Sequence, residues 1–210
     1  MSIHGENRKF WDRLARWYDP VTLKLTRDYP ALIQRIVHDV NGVENVLEVA
    51  TGTGLVAIEL GRKAGMVEAV DFSPRMIECA KRKALENHTE NVRFSVQSAY
   101  SLGFEDSRFD AAVCSNALHC MNDPKKALSE IRRVLKDEGL LIAPTFCHGV
   151  NWRSRLVSRI MGLTGFKSYQ RFDIAEFFDL ITSSGFRIIE KDISDDFIPL
   201  AYVVAQCVSL

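Results

Sequence analysis

The chain has 210 residues, of which 47% are hydrophobic and 26% charged, and its 27 lysines and arginines balance 27 aspartates and glutamates. This length predicts a single domain, because domains usually hold roughly 100–200 residues. The composition excludes a disordered, collagen-like or coiled-coil chain. The formal net charge of zero argues against broad electrostatic capture of nucleic acid, so nucleic acid is not expected as a partner.

Three features of the sequence concern where the protein works. No apolar run approaches the roughly 20 residues that span a bilayer, and residues 1–10 lack the apolar segment of a signal peptide. The five cysteines form no Cys-x-x-Cys pair, which is typical of reduced thiols and not of a zinc site or a disulfide framework. We therefore predict a cytoplasmic protein without a bound metal.

The middle of the chain alternates short β-branched runs with helical patterns. This alternation is typical of a parallel, doubly wound sheet, because each helix returns the chain to the same edge. The predicted helices span Gly54–Lys63, Pro74–Asn87 and Pro124–Leu135, and Ser73 and Asp123 are the expected caps of the last two. The predicted strands are Asn45–Ala50, Met66–Asp71, Asn91–Val96, Asp110–Ser115 and Gly139–Pro144.

The two ends of the chain have different patterns. Two amphipathic helices, Glu6–Tyr18 and Val21–Val40, are predicted before the first strand. A helix is predicted over Asp173–Ser183, followed by two strands, Phe186–Ile193 and Ala201–Val208. The connection between these strands is too short for a parallel crossover, so we predict an antiparallel hairpin. We predict a Rossmann-like α/β fold with seven strands, five of them parallel, and helices on both faces. Residues 1–210 form one domain, with a helical cap over residues 1–40.

The segment Val46–Gly54 (VLEVATGTG) predicts a ligand-binding loop. Gly52 and Gly54 lie between a strand and a helix, where glycine lets the backbone take positive φ and approach a ligand closely. The N–H groups at the helix start favour an electronegative group of that ligand. Asp71 ends the second strand, where a carboxylate can accept both hydroxyl hydrogens of a ribose.

Two classes of cofactor fit this loop, because residues 52–57 also satisfy the G-x-G-x-x-G/A pattern of dinucleotide binders. Glu48 lies inside the first strand, an unusual place for a charge unless it faces a cation such as an amino group or a sulfonium. None of the five tyrosines is followed four residues later by the lysine that a short-chain dehydrogenase would need. A nicotinamide oxidoreductase is therefore the second interpretation.

With these motifs the sequence resembles the class I S-adenosylmethionine-dependent methyltransferases, and within them the ubiquinone/menaquinone methyltransferase branch. Matching motifs occur at Ala15–Pro20, at Val46–Gly54 with Ala50 in place of a glycine, at Val70–Lys81 and at Ser115–Gly139. The resemblance implies S-adenosylmethionine as cofactor and S-adenosylhomocysteine as product. The cofactor-binding residues that it implies are Tyr18, Glu48, Ala50, Thr51, Gly52, Gly54, Asp71, Phe72, Met76, Ser98, Ala99 and Asn116.

The sequence departs from the family pattern at two places. Ser98-Ala99 stands where the family usually has an acid followed by alanine, which weakens the expected contact to the adenine amino group. Asp137-Glu138-Gly139 replaces the proline-glycine-glycine turn before the fifth strand, a change that should matter little for the chemistry.

The candidates near the reacting end are His119 and Tyr18, acting by positioning more than as bases. Tyr18 would close over the cofactor, and Asn116 would contact it at the carboxyl edge of the fourth strand. Each residue has a purely structural alternative. His119 has apolar neighbours and fits a packing role, Asn116 fits a turn cap, and Tyr18 fits an ordinary aromatic at a helix end.

Residues 147–172 form a basic amphipathic insert that we expect to select the acceptor. It contains Arg153, Arg155, Arg159, Lys167 and Arg171 and no acidic residue. One interpretation is a lid with a solvated arginine face. The other is weak peripheral contact with an anionic membrane through residues 152–171, or contact with an amphiphilic or lipid-like acceptor. The predicted function is methyl transfer to a small molecule, and a non-catalytic protein that binds S-adenosylmethionine is a further alternative.

Overall fold

The computed structural model describes residues 3–25, 28–147, 170–194 and 199–208. The chain divides into two compact units. The first contains residues up to Ala99 together with Phe109–Val113, and the second contains Tyr100–Arg108 and the residues from Cys114 onward. Both units carry strands and helices, so the predicted α/β class is confirmed.

The described residues of the first unit form four strands, β1 Asn45–Val49, β2 Met66–Asp71, β3 Val92–Val96 and β4 Phe109–Val113. The pairs β1–β2, β1–β4 and β2–β3 are all parallel, so the strand order is β3-β2-β1-β4. Val46, Leu47 and Val49 are at most 1% exposed, as expected of a parallel strand that is covered on both faces. Since β1 and β2 run the same way, the loop after Val49 and the carboxylate of Asp71 lie at one edge. The elements are α1 Ile3–Leu14, α2 Tyr18–Leu25, α3 Tyr29–Asp39, β1 Asn45–Val49, α4 Leu55–Leu60, β2 Met66–Asp71, α5 Pro74–Glu86, β3 Val92–Val96 and β4 Phe109–Val113.

The described residues of the N-terminal cap form three helices, so the prediction of two was wrong. The predicted helix Val21–Val40 is divided, because Pro30 lies in the first turn of α3. Proline has no N–H to donate to a preceding turn, and it is accommodated at the start of a helix. The first helix ends at Leu14, and Tyr18 begins α2.

In the second unit, strands β7 (Phe186–Ile193) and β8 (Leu200–Cys207) form the predicted antiparallel hairpin, with Ile193 opposite Ala201. The strand β8 also pairs antiparallel with β5 (Leu135–Ile142), where Leu141 faces Ala205. The side chain of Asp123 accepts a hydrogen bond from the N–H of Lys126, 3.0 Å away, and so provides the predicted cap of α6. The elements are α6 Pro124–Val134, β5 Leu135–Ile142, β6 Thr145–Phe146, α7 Ile174–Ser183, β7 Phe186–Ile193 and β8 Leu200–Cys207.

The described residues contain eight strands, so the predicted count of seven was one too low. The predicted fifth strand, Gly139–Pro144, begins earlier, at Leu135, and is followed by the short strand β6. Pro144, which has no N–H for a strand ladder, separates β5 from β6. Both pieces pair antiparallel with β8, since Ile142 of β5 lies opposite Val204 and Thr145 of β6 lies opposite Ala201.

Most of the basic insert lies outside the described residues, because the structure describes only Cys147 and residues 170–172 of it. The predictions for Arg153, Arg155, Arg159 and Lys167 therefore concern residues that are not described. Within the described part of the chain, the helices are all too short or too polar to cross a bilayer.

Candidate functional site

The loop after β1 alternates left-handed and ordinary backbone conformations. Ala50, Gly52 and Gly54 have φ angles of 60°, 58° and 79°. The N–H of Gly54 donates to the carbonyl of Thr51 at 3.0 Å, and the N–H of Thr51 donates to Val70 at 3.0 Å. Glycine adopts positive φ at little cost, whereas alanine pays about 1–2 kcal/mol for it. The loop is therefore held in a ligand-ready shape that is strained at Ala50.

The two glycines of this loop are needed for different reasons. A Cβ atom on Gly54 would lie 2.9 Å from the Cβ of Ala80 and 3.1 Å from Cε1 of Phe94, so no side chain fits between helix and core. Among the described residues, a Cβ on Gly52 would meet only Cε1 of Tyr18, at 3.7 Å. A ligand can therefore approach the backbone at Gly52, with the ring of Tyr18 beside it.

Asp71 ties the loop to the end of β2. Its carboxylate oxygens accept hydrogen bonds from the N–H of Gly52 at 2.9 Å and from the N–H of Ser73 at 2.8 Å. Burial raises the pKa of Asp71 to about 6, and the two N–H groups oppose that rise. Above this pH the carboxylate is ionised, and each oxygen keeps a further lone pair that a pair of ribose hydroxyls can use.

Glu48 is the second buried carboxyl group, with 2% of the residue exposed. Its Oε2 accepts a hydrogen bond from the hydroxyl of Thr51 at 2.5 Å. The pKa of Glu48 is raised to about 8, mainly by burial and in part by the nearby charge of Asp71, although the hydrogen bond from Thr51 lowers it. Glu48 is therefore mainly protonated at neutral pH, and a cation bound beside it would favour its ionisation.

The helix α2 is attached to the loop through Asp19. This carboxylate accepts hydrogen bonds from the hydroxyl of Thr53 and pairs with the ammonium group of Lys83. The Nζ of Lys83 also donates to the carbonyl of Thr53 at 3.0 Å. These contacts hold Tyr18, the neighbour of Asp19, next to Gly52. Asp19, Thr53 and Lys83 were not among the predicted site residues, although Asp19 follows Tyr18 directly.

A second contact attaches α1 to the start of α5. An oxygen of Asp12 accepts a hydrogen bond from the hydroxyl of Ser73 at 2.6 Å, and that hydroxyl accepts one from the N–H of Met76 at 3.1 Å. Ser73 is therefore the predicted helix cap. Met76 is 1% exposed and lies in a cluster with Ala15, Cys79, Trp11 and Tyr18.

The other predicted cofactor residues of the first unit lie at the ends of β2 and β3. Phe72 is half-buried beside Asp71, Ser98 is exposed, and Ala99 is half-buried. The N–H of Gln97 donates to the carbonyl of Asp71 at 3.0 Å, which brings this segment to the end of β2. The cofactor contact of Phe72 and the adenine contacts of Met76, Ser98 and Ala99 stay predictions.

Asn116 and His119 belong to the second unit, and their roles stay predictions. Asn116 has a φ of 52°, and its N–H donates to the carbonyl of Pro144 at 2.8 Å. His119 is 5% exposed, and its ring meets the ring of Phe146 edge-on at 6.3 Å. The backbone carbonyl of His119 accepts a hydrogen bond from the N–H of Gln170 at 3.1 Å.

The thiols of this region are poor nucleophiles. Burial raises the pKa of Cys147 to about 11 and raises the pKa of Cys120 well above its usual range. Since the thiolate is the reactive form, both thiols are neutral at physiological pH.

Residues 47–143 match the family described as "Methyltransferase domain". This segment, a little under half of the chain, is similar to that family. It contains Glu48, the loop Ala50–Gly54 (the glycine loop), Asp71 and the segment from Asn116 to His119, and it starts within β1. The predicted resemblance to class I methyltransferases is thereby confirmed.

Relatives of known family support the same assignment. The chain is 36% identical over 110 residues to the ubiquinone/menaquinone biosynthesis C-methyltransferase of Citrifermentans bemidjiense. The aligned segment covers 50% of this chain and 47% of that protein. It is 28% identical over 218 residues to the demethylmenaquinone methyltransferase of Tropheryma whipplei, covering 99% of this chain and 86% of that protein. At the higher identity, the chain spans about half the length of the relative that it matches.

A solved structure shows that the fold extends beyond the methyltransferase domain. A methyltransferase from Aquifex aeolicus, described as S-adenosylmethionine-dependent, superposes with a TM-score of 0.72 at 18% identity, covering 94% of this chain and 98% of that one. The comparisons support neither the nicotinamide alternative nor the non-catalytic one.

Proposed function

We propose that the protein is an S-adenosylmethionine-dependent methyltransferase acting on a small-molecule acceptor. One observation carries this proposal: the open backbone at Gly52 lies directly beside the carboxylate of Asp71, which accepts the N–H of Gly52 at 2.9 Å. An adenosine ribose needs an acceptor for two hydroxyls next to backbone that it can approach closely, and this arrangement supplies both.

The residues of the first unit fit the remaining parts of the cofactor. Glu48 and Thr51 offer a carboxyl group and a hydroxyl to the ammonium group of its amino acid part, and the ring of Tyr18 would cover the ligand at Gly52. S-adenosylmethionine supplies a methyl group on a sulfonium, which needs no further activation. The chain therefore has to align the acceptor and exclude water, and such positioning can contribute about 7–11 kcal/mol.

We propose an acceptor with a quinol-like ring, by analogy with the relatives named for ubiquinone and menaquinone methylation. His119 is proposed to position this acceptor, since its ring lies against the aromatic ring of Phe146. Carbon as the methylated atom is part of the same proposal.

The cofactor assignment is tested by thermal shift and calorimetry on the full chain with S-adenosylhomocysteine, S-adenosylmethionine and NAD⁺. Stabilisation by the first two and not by NAD⁺ is expected. Transfer of isotopically labelled methyl to a demethylated naphthoquinol is then measured under reducing conditions. Binding of the cofactor without transfer to any quinol or phenol would contradict the proposed activity, and stabilisation by NAD⁺ alone would contradict the proposed cofactor.

Three further predictions stay open as proposals: a single functional domain, a cytoplasmic location and weak membrane contact through residues 152–171. The last is tested by sedimentation with anionic vesicles at low salt, comparing the chain with a variant in which Arg153, Arg155 and Arg159 are glutamine. Equal sedimentation of the two proteins, or none of either, would contradict membrane contact through these arginines.

A further inference from the structure

The second unit contains buried side-chain polar atoms that have no hydrogen-bond partner within the described part of the chain, although Ser115 and Asn116 as whole residues are only half-buried. They are the hydroxyl of Ser115, both polar atoms of the Asn116 amide and the hydroxyl of Thr145. Thr145 is fully buried, with 0% of the residue exposed. Leaving such a group unpaired costs free energy, so folded proteins keep few of them, and each calls for an explanation.

These groups come from two segments that run side by side. The N–H of Cys114 donates to the carbonyl of Ile142 at 2.9 Å, and the N–H of Asn116 donates to Pro144 at 2.8 Å. Asn116 is also held at a φ of 52°, a conformation that non-glycine residues adopt mainly where the surrounding structure requires it. The unpaired groups therefore belong to one region that the fold has fixed.

The two segments that carry these groups are largely apolar, and the nearby carboxylate of Asp173, which helps to raise the pKa of Cys147, disfavours an anion. The segments 114–121 and 143–147 contain no acidic residue, lysine or arginine. Burial keeps the thiols of Cys120 and Cys147 protonated, because it raises the pKa of both. Leu118 is fully buried, and the ring of Phe146 adds an aromatic surface. Hydroxyl and amide groups in such surroundings suit an uncharged oxygen on an apolar ring, and they suit a phosphate or carboxylate poorly.

We propose that Ser115, Asn116 and Thr145 form a subsite that binds a hydroxyl or carbonyl oxygen of an uncharged aromatic methyl acceptor. The inference rests on the proposed function and deepens it, since it assigns Asn116 to the acceptor instead of the cofactor and adds two residues that the sequence analysis did not single out. Thr145 and Ser115 are specificity-determining residues in this assignment.

The test compares two probes that share a ring and differ in one hydroxyl, 1-naphthol and naphthalene. Their affinities for the full chain are measured by ligand-observed NMR in the presence of S-adenosylhomocysteine. The wild-type chain should bind 1-naphthol at least about tenfold more tightly than naphthalene. Thr145→Val, which keeps the shape of the side chain, should remove most of this preference and leave the affinity for naphthalene unchanged.

The control is Thr182→Val, because the hydroxyl of Thr182 donates to the carbonyl of Phe178 and lies on an exposed helix surface. This variant should bind both probes as the wild type does. Ser115→Ala provides a second variant if circular dichroism shows that Thr145→Val does not fold. Equal affinity of the wild type for the two probes, no measurable binding of 1-naphthol, or an unchanged preference in the folded variants would overturn the subsite.

The same experiment separates this inference from the proposed function. A preference for 1-naphthol that depends on Thr145, in a chain that binds no S-adenosylhomocysteine, would uphold the subsite and contradict the methyltransferase. Tight binding of S-adenosylhomocysteine with no preference between the probes would uphold the cofactor assignment and contradict the subsite.

Discussion

Two buried threonines show how differently the two regions of this protein treat their polar groups. Thr53, in the glycine loop, is 1% exposed, and its hydroxyl donates to Asp19. Thr145, beside Pro144, is 0% exposed, and its hydroxyl has no partner among the described residues. The same contrast holds for Asp71, whose two oxygens both accept N–H groups, and Asn116, whose amide is unpaired within the described ranges.

The glycine loop is formed before its ligand binds, whereas the polar groups around Thr145 would be paired only when a ligand is bound. The glycine loop is completed by the chain itself, so little ordering is needed when a cofactor binds. The region of Ser115, Asn116 and Thr145 keeps polar atoms unpaired, a cost that a ligand oxygen would remove. Removing a threonine hydroxyl should therefore change stability in opposite directions in the two regions.

The largest effect is expected for Glu48→Gln. The polar groups of the loop are otherwise well paired, and ionising the buried carboxyl group of Glu48 costs free energy of folding. Its pKa is raised from 4.5 to about 8, so its contribution to stability is present below pH 4.5 and is lost as the pH rises through 8. At about 1.4 kcal/mol per tenfold change in acidity, the loss has an upper limit of about 5 kcal/mol. Glutamine cannot ionise, so the variant should gain stability over the wild type at pH 8.5 and not at pH 4.

Urea denaturation at both pH values measures this difference. The pKa of Asp71 is raised from 3.8 to about 6, so its contribution to the free energy of unfolding is lost as the pH rises through 6. This loss occurs in both proteins, and it therefore cancels when Glu48→Gln is compared with the wild type. Glu78→Gln is the control, because its exposed pair with Arg75 should be worth less than about 1 kcal/mol. Parallel stability curves for Glu48→Gln and the wild type would show that Glu48 does not carry the cost.

Gly54→Ala should be the most damaging change to the packing of the loop. The new Cβ would lie 2.9 Å from Ala80, at a φ of 79°. The positive φ costs about 1–2 kcal/mol, and the overlap adds about 1–3 kcal/mol. Gly42→Ala is a matched control, since Gly42 has a φ of 78° and no described atom within 4 Å of the new Cβ. Equal losses in urea midpoints would mean that backbone conformation alone requires the glycine.

Thr53→Val and Thr145→Val test the contrast directly. Removing the hydroxyl of Thr53 leaves Asp19 with one hydrogen bond fewer and should cost about 1–2 kcal/mol. Removing the unpaired hydroxyl of Thr145 should stabilise the ligand-free protein by about 1 kcal/mol. Melting temperatures of both variants without ligand provide the measurement, and a loss of stability in Thr145→Val would mean that its hydroxyl is paired in solution.

The parts of the fold and site that follow from local spacing could be predicted from the sequence. The strand before Ala50 and the position of Asp71 at the end of the next strand depend on residues close in sequence, and the structure has both. The pairing of Asp12 with Ser73, across 61 positions, and of Asp19 with Thr53, across 34, depends on how the N-terminal helices pack. Spacing along the chain carries no signal for such pairs.

The errors have similar physical causes. Pro30 was available in the sequence as a helix start, but the amphipathic pattern of residues 21–40 concealed the break. The unpaired hydroxyls of Ser115 and Thr145 could not be predicted, because the lack of a partner is a property of the three-dimensional surroundings. A serine or threonine in the sequence shows only that a hydroxyl is present.

The smallest effect is expected for Ala50→Gly, which tests how much strain the preformed loop retains. Ala50 has a φ of 60°, so glycine should relieve about 1–2 kcal/mol of strain. Part of this gain is offset, because glycine gives the unfolded chain more freedom, about 0.4–1 kcal/mol. A net rise of about 0.5–1 kcal/mol is expected in urea denaturation, with the affinity for S-adenosylhomocysteine unchanged. Ala84→Gly, in helix α5, should lose about 1 kcal/mol instead. Destabilisation by both changes would mean that the methyl group of Ala50 contributes packing that outweighs its strain, and the loop would then be less strained than its backbone angle indicates.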